Sequence, residues 1–298
     1  MPSLREVRTR IASIKSTRQI TSAMKMVSST KLLKAQRGLT GLKPYAESLR
    51  QMIDILNTRL QPDEKCRFVS HSAGNKILVL TIASNKGLCG TYNTMIIKKA
   101  IDHVHLLKEQ GFEVQLLIAG RKAEDFFKKS NYRIFKSDHS IIDGINYINC
   151  ATFANELMQL FENQHFNRID VVYNRFRNAI VQDLITEQLL PIPDRLTNES
   201  LPFENSETLK ELSTIIFEPS PKEVAENLIP KFFHLNIYRI LLNASASEHG
   251  VRMTAMQKAT DNATELLKVL NLTYNKVRQA MITREIVEIV SGAEMMYE

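Results

Sequence analysis

The chain has 298 residues, 44% of them hydrophobic and 24% charged, with a formal net charge of +7; that is enough apolar content for a real core and room for about two domains. No stretch approaches the roughly 18 consecutive apolar residues of a membrane span, the longest comparable run being Ile77–Ala83, and the opening MPSLREVRTR lacks the apolar core of a secretory signal, so a soluble, unexported chain is expected. Cys66, Cys89 and Cys150, odd in number and far apart, argue for a reducing compartment and against a disulfide framework or a zinc site.

The first segment, Ser3–Lys43, is free of proline and runs on helical spacing. Leu4, Val7, Ile11 and Ile14 alternate steps of three and four, the stripe that a partner helix buries. Arg18 and Thr21 then fall where the pattern expects apolar residues, and the spacing predicts a shifted stripe through Ile20, Met24 and Val27. Residues 1–60 hold 12 Lys and Arg against 3 Asp and Glu, which leaves the remaining 238 residues slightly acidic. A helix this basic calls for an acidic partner surface, whether protein, lipid headgroup or nucleic acid.

The period then changes. Lys76–Ala83, Glu113–Ala119 and Arg168–Phe176 read as buried strands, alternating with helical segments at Tyr92–Gln110, Arg121–Lys129 and Tyr147–Asn163. Alternation of this kind predicts a largely parallel sheet with helices on its faces. A further strand at Asp183–Leu190 follows too closely for a crossover helix and is expected to pair antiparallel. Pro191–Ser213, polar and with three prolines, reads as a loop back to a second rod.

One glycine motif lies where a strand meets a helix, SNKGLCGTYN at Ser84–Asn93. Such a turn is able to cradle a phosphate on backbone N–H groups. It has neither the dinucleotide-loop nor the P-loop spacing, so a turn that needs glycine for steric reasons is the favoured reading. His103 and His105 are two apart, on different sides of a helix, and make poor co-ligands. Cys89 at a helix start is a reactive thiol or, more simply, a small packed one. No nucleophile elbow, HExxH or paired-carboxylate spacing is present.

The last segment, Lys231–Glu298, is again proline-free and as a helix would extend roughly 100 Å. Leu266, Leu270, Tyr274, Val277 and Met281 form one stripe; Ile282, Ile286, Ile289, Ala293 and Met296 form a second, compatible with a helix that changes partners near its tip. The α/β segment is thus an insertion between two helices that must find each other. On the residues alone, two rivals to a mechanical element stay open: a nucleic-acid binder reading the major groove with its basic first helix, and a nucleotide-dependent enzyme built on the insertion.

Four segments carry a resemblance: RIASIKSTRQITSAMKMVSSTKL (Arg10–Leu32), SNKGLCGTYN, SEHGVRMTAMQKATDNATEL (Ser247–Leu266) and YNKVRQAMITREIVEIVSGAE (Tyr274–Glu294). In order and spacing the chain resembles the gamma subunits of F-type ATP synthase. The resemblance implies an α+α/β fold: a long antiparallel coiled coil of residues 1–60 and 215–298, with a Rossmann-like α/β domain, residues 75–200, inserted as a foot. It implies a central-stalk rotor with no active site and no cofactor of its own. Turning within a ring of three alpha and three beta subunits, such a rotor couples proton flow through the c ring to ATP synthesis or hydrolysis on beta. Carried over by position, contacts with that ring fall at Met24, Lys25, Arg252, Arg278, Gln279, Thr283 and Glu288. Contacts with the epsilon subunit and the c ring fall at Ser84, Lys86, Gly87, Leu88, Cys89, Gly90, Asn93, Ile215, Phe217 and Glu218. No nucleic-acid partner is implied, and membrane association comes through the Fo sector. A start at Met1 without a transit peptide favours a bacterial member at the cytoplasmic face of the inner membrane. Two departures stand out: Asn85 replaces the acid that usually follows the serine of the central turn, and Met295, in the closing MMYE, replaces a small or basic residue. No closely spaced cysteine pair supports thiol switching.

Overall fold

The computed structural model describes residues 3–59, 68, 74–179, 181–192, 218 and 220–294. In chain order the elements are α1 (Leu4–Arg59), β1 (Lys76–Ile82), α2 (Tyr92–Glu109), β2 (Glu113–Ala119), α3 (Arg121–Phe127), β3 (Ile134–Asp138), α4 (Ser140–Asp143), α5 (Tyr147–Glu162), β4 (Arg168–Phe176), β5 (Gln182–Leu190) and α6 (Pro221–Glu294). They form two compact units, one of residues 1–29 with 252–298 and the other of residues 30–251.

Both long helices exceed the proline-free segments, running through Pro44 and Pro230. An interior proline removes one hydrogen bond and costs about 3 kcal/mol. Here it is outweighed by burial on the flanking turns: Leu49, Ile53 and Leu56 after Pro44, and Ile229, Phe233 and Ile237 around Pro230. The proposed return loop falls almost wholly outside the described residues.

In the first unit Leu4, Val7, Ile11, Ile14, Arg18, Thr21, Lys25 and Ser28 of α1 are buried or half-buried in one unbroken alternation of threes and fours, with Ser22 and Met24 half-buried beside it. Of the expected shifted stripe only Met24 is half-buried. Ile20 and Val27 are 59% and 55% exposed, while the polar residues stay in the seam because they satisfy one another. The Thr260 hydroxyl donates to Thr21 Oγ1 at 2.8 Å, and the Thr21 hydroxyl donates to the Arg18 carbonyl at 3.1 Å. On α6 the seam runs through Met256, Thr260, Ala263, Leu267, Leu270, Tyr274 and Val277. Leu266, expected in it, is 52% exposed, one residue out of phase.

The second unit is built on a five-stranded sheet of order β3-β2-β1-β4-β5. The first four strands are parallel, and β5 pairs antiparallel with β4 as expected. The expected strands and helices all form, to within two residues at their ends. The edge strand β3 was not foreseen, since IFKSD is short and mixed in polarity. Side chains alternate across the sheet: Leu78, Leu80, Ile82, Ile169 and Val171 face one core with α5 and the start of α6, while Ile77, Val79, Leu116 and Ile118 face a second with α2 and α3. The end of α1 joins the first core through Leu56. In this unit a Cβ on Gly38 would lie 3.2 Å from Leu242, as Thr21 lies against Thr260 in the other. Among the described residues no helix is long and apolar enough to cross a membrane.

Candidate functional site

The connections place β2 and β3 on one side of β1 and β4 on the other. Strand order therefore reverses between β1 and β4, and ligands of open α/β sheets bind in the crevice outside the carboxyl ends of the strands at such a point. The Ser84–Asn93 turn sits there. Ser84, fully buried, is its hub: its N–H donates to Asn93 Oδ1 (3.0 Å), its hydroxyl donates to the Lys86 carbonyl (2.7 Å) and accepts from Asn93 Nδ2 (2.8 Å). Asn93 Nδ2 also reaches Cys89 Sγ at 3.2 Å. Gly120, at φ +115, closes the turn from below; a Cβ there would overlap the Ala83 backbone, so no other residue fits.

The crevice is filled by the chain itself. Residues 243–251 of α6 cross it, and the contacts are specific. The Tyr92 hydroxyl donates to the Ala244 carbonyl (3.1 Å), the Ser247 hydroxyl donates to the Asn174 carbonyl (3.1 Å), Gln182 Nε2 donates to the Ser247 carbonyl (3.1 Å), and the Phe176 N–H donates to Asn243 Oδ1 (3.3 Å). Gly250 allows the closest approach: a Cβ there would lie 3.3 Å from the Phe176 ring and 3.6 Å from Ala179 Cα. Gly90, at φ +56, would bring a Cβ to 3.2 Å from Val251. The glycine turn is thus a packing surface for a helix, with Gly90 against Val251.

Of the residues expected to meet epsilon and the c ring, Ser84 and Cys89 are buried and shape the turn from inside. The turn presents Lys86 and Leu88 outward. Leu88 is 65% exposed at φ +62, a left-handed conformation unusual for a leucine. Ile215 and Phe217 lie outside the described residues; Glu218 is exposed. Asn85, missed as a contributor, ties the turn to its neighbours: its amide donates to the His139 carbonyl (2.9 Å) and Asp143 Oδ2 (2.8 Å) and accepts from the Arg121 N–H (3.0 Å). Nearby, burial would raise the Asp138 carboxyl, but the Ser140 hydroxyl and N–H hold it below the usual range. Cys150, on α5, is a buried thiol pushed up to about 12 by desolvation and is inert at neutral pH. His103 and His105 take separate partners, the buried Asp170 (2.8 Å) and the Tyr132 hydroxyl (3.2 Å).

The residues expected to meet the alpha–beta ring divide in two. Met24 is half-buried beside the seam and Lys25 half-buried within it, and Arg252 is only 7% exposed. Arg278, Gln279, Thr283 and Glu288 lie on the part of α6 where every residue from 278 to 293 is exposed. Glu288 pairs with Arg284 at 3.0 Å, and the Thr283 hydroxyl donates to the Gln279 carbonyl, so Arg278 and the Gln279 amide are the more available groups there. Around them Met281, Ile282, Ile286, Val287, Ile289 and Val290 form a bare apolar surface. A second exposed apolar stripe runs along α1 through Ile20, Ala23 and Val27.

Residues 3–296 match the family described as ATP synthase. The chain is 44% identical to the ATP synthase gamma chain of Christiangramia forsetii and 43% identical to that of Flavobacterium psychrophilum, in each case over 99% of both chains. Among solved structures it is similar to a chain of the Euglena gracilis mitochondrial ATP synthase OSCP/F1/c-ring assembly, with a TM-score of 0.61 and 19% identity over 98% of this chain and 94% of that one. It also resembles a chain of the Tetrahymena thermophila mitochondrial ATP synthase central stalk and c ring, with a TM-score of 0.55 and 24% identity over 80% of this chain and 99% of that one. These structural likenesses extend to the fold, and the sequence matches settle the family: this chain belongs to the ATP synthase gamma chains.

Proposed function

We propose that this chain is the non-catalytic central-stalk rotor of a bacterial F-type ATP synthase, held at the cytoplasmic face of the inner membrane through its complex. It turns within three alpha and three beta subunits and meets epsilon and the c ring at the foot formed by the α/β domain. The observation that supports this most is the stretch 278–293 of α6, where apolar residues that a free-standing helix would bury are all exposed. A shaft that slides inside a sleeve needs such a smooth surface, since a deep interlocked interface would hold it still. It also needs a few directional groups, because a shaft with equal affinity for every beta state shifts none of them. Arg278 and Gln279 supply these, forming hydrogen bonds to acidic loops in one orientation and releasing them in the next; Met24, Lys25, Thr283 and Glu288 complete the ring-facing set, to which Arg252, 7% exposed, offers little surface. At the foot, Lys86 and Leu88 make the outward contact of a turn shaped by Ser84, Gly87, Cys89, Gly90 and Asn93, together with Ile215, Phe217 and Glu218.

Co-expression with the same organism's alpha and beta subunits, followed by size-exclusion chromatography with mass determination, tests the reading. A complex with one copy of this chain per three alpha and three beta is expected. Elution of this chain alone, while alpha and beta assemble without it, would overturn the proposal.

A further inference from the structure

The hydrogen bonds in the filled crevice do something that apolar packing does not. A helix lying on an apolar sheet face is free to roll or slide by repacking side chains, because hydrophobic burial is non-directional. A hydrogen bond to a fixed backbone group loses its strength within a few tenths of an ångström or a few tens of degrees. Across 243–247 four such bonds join α6 to the α/β domain: two accepted by α6 carbonyls from Tyr92 of α2 and Gln182 of β5, one donated by Ser247 to β4, and one accepted by Asn243 from β4. Tyr92, Asn243 and Ser247 are all buried, so water does not compete for their partners. Gly250 lets the helix backbone settle against Phe176 and Ala179. The bonded positions 243 and 247 and the glycine at 250 lie on one face of the helix, four and three residues apart, with the Ala244 carbonyl held to one side of it, so the seat resists both rotation about the helix axis and translation along it.

We propose that this crevice, a ligand site in other folds of its class, serves here as the joint that fixes α6 to the α/β domain under torque, with Tyr92, Gln182, Asn243, Ser247 and Gly250 as its positioning residues. The inference rests on the rotor reading. The substitutions Tyr92→Phe and Ser247→Ala together remove two of the four bonds while leaving the apolar packing in place. The test is made on the complex with alpha and beta, with a bead on Lys98→Cys, on the exposed face of α2, in a Cys66→Ser background; Cys89 and Cys150 are buried. At a catalytic dwell the angular variance of the bead is expected to at least double in the variant, with ATP turnover unchanged and a melting temperature lowered by the loss of two buried hydrogen bonds. Unchanged variance overturns the joint and leaves the rotor reading standing; a parent complex that fails to turn the bead overturns both.

A second variant covers the case in which the first folds poorly. Ala179→Cys with Gly250→Cys places a disulfide across the seat, confirmed by intact mass. ATP-driven proton pumping that is equal with the bridge formed and reduced is the expected result, because helix and sheet move as one body. Pumping that stops on oxidation and returns on reduction would show that they must move against each other, and would overturn the inference.

Discussion

Asn85 does with one amide what a carboxylate does not do, donating to Asp143 and to the His139 carbonyl while accepting from Arg121. An acid at this position would set two carboxylates against each other and take the Asn85 donor from the His139 carbonyl. Asn85→Asp is therefore expected to cost about 1–3 kcal/mol, read as a lower melting temperature, with Asp143→Asn in the same chain restoring part of the loss. The departure was legible in the sequence and its reason was not, because Asp143 lies 58 residues further on. His234 gives a pH-dependent counterpart. Burial depresses its pKa below the ordinary 6.5, so between the folded and unfolded values the unfolded chain binds more protons and stability rises with pH. Stability is accordingly expected to fall as pH drops through the range just below 6.5, and His234→Gln to flatten that part of a melting-temperature profile.

At the scale of the element, the seam of α1 is where periodicity misled. Arg18, Thr21, Lys25 and Ser28 occupy seam positions of an unbroken heptad, so reading only apolar residues moved the stripe onto Ile20, Met24 and Val27, of which Ile20 and Val27 face outward. Hydropathy is blind to a hydroxyl whose partner sits on another helix 239 residues away. That pairing predicts an asymmetric response. Thr260→Val alone deprives Thr21 Oγ1 of its donor and is expected to cost about 1 kcal/mol; Thr21→Val with Thr260→Val removes both polar groups and is expected to be near neutral. Thermal unfolding of the two variants separates these outcomes. The strands of the α/β unit were easy to read because both faces are buried and their apolar runs are continuous. The edge strand β3, with Phe135 and Lys136 exposed, has no such run. The filled crevice was hidden for a different reason: Asn243 and Ser247 look like ordinary polar helix residues until the fold brings β4 beside them.

For the whole molecule, the rotor reading divides labour between a joint that must not slip and a surface that must. The proposed contacts at Arg278 and Gln279 belong to the second class, so Arg278→Ala with Gln279→Ala is expected to weaken ATP-driven proton pumping severalfold while leaving the melting temperature of the free chain unchanged, since both side chains are exposed. Pumping at the parent level in the double variant would remove these residues from the mechanism. The bare apolar stretch from Met281 to Val290 also has a meaning away from the working motor. A copy made in excess of its ring carries an unshielded hydrophobic helix, the kind of feature that chaperones and proteases recognise and that drives self-association. On the rotor reading, the surface that lets the assembled shaft glide is expected to mark an orphaned shaft for removal, so that the supply of rotors follows the number of sleeves.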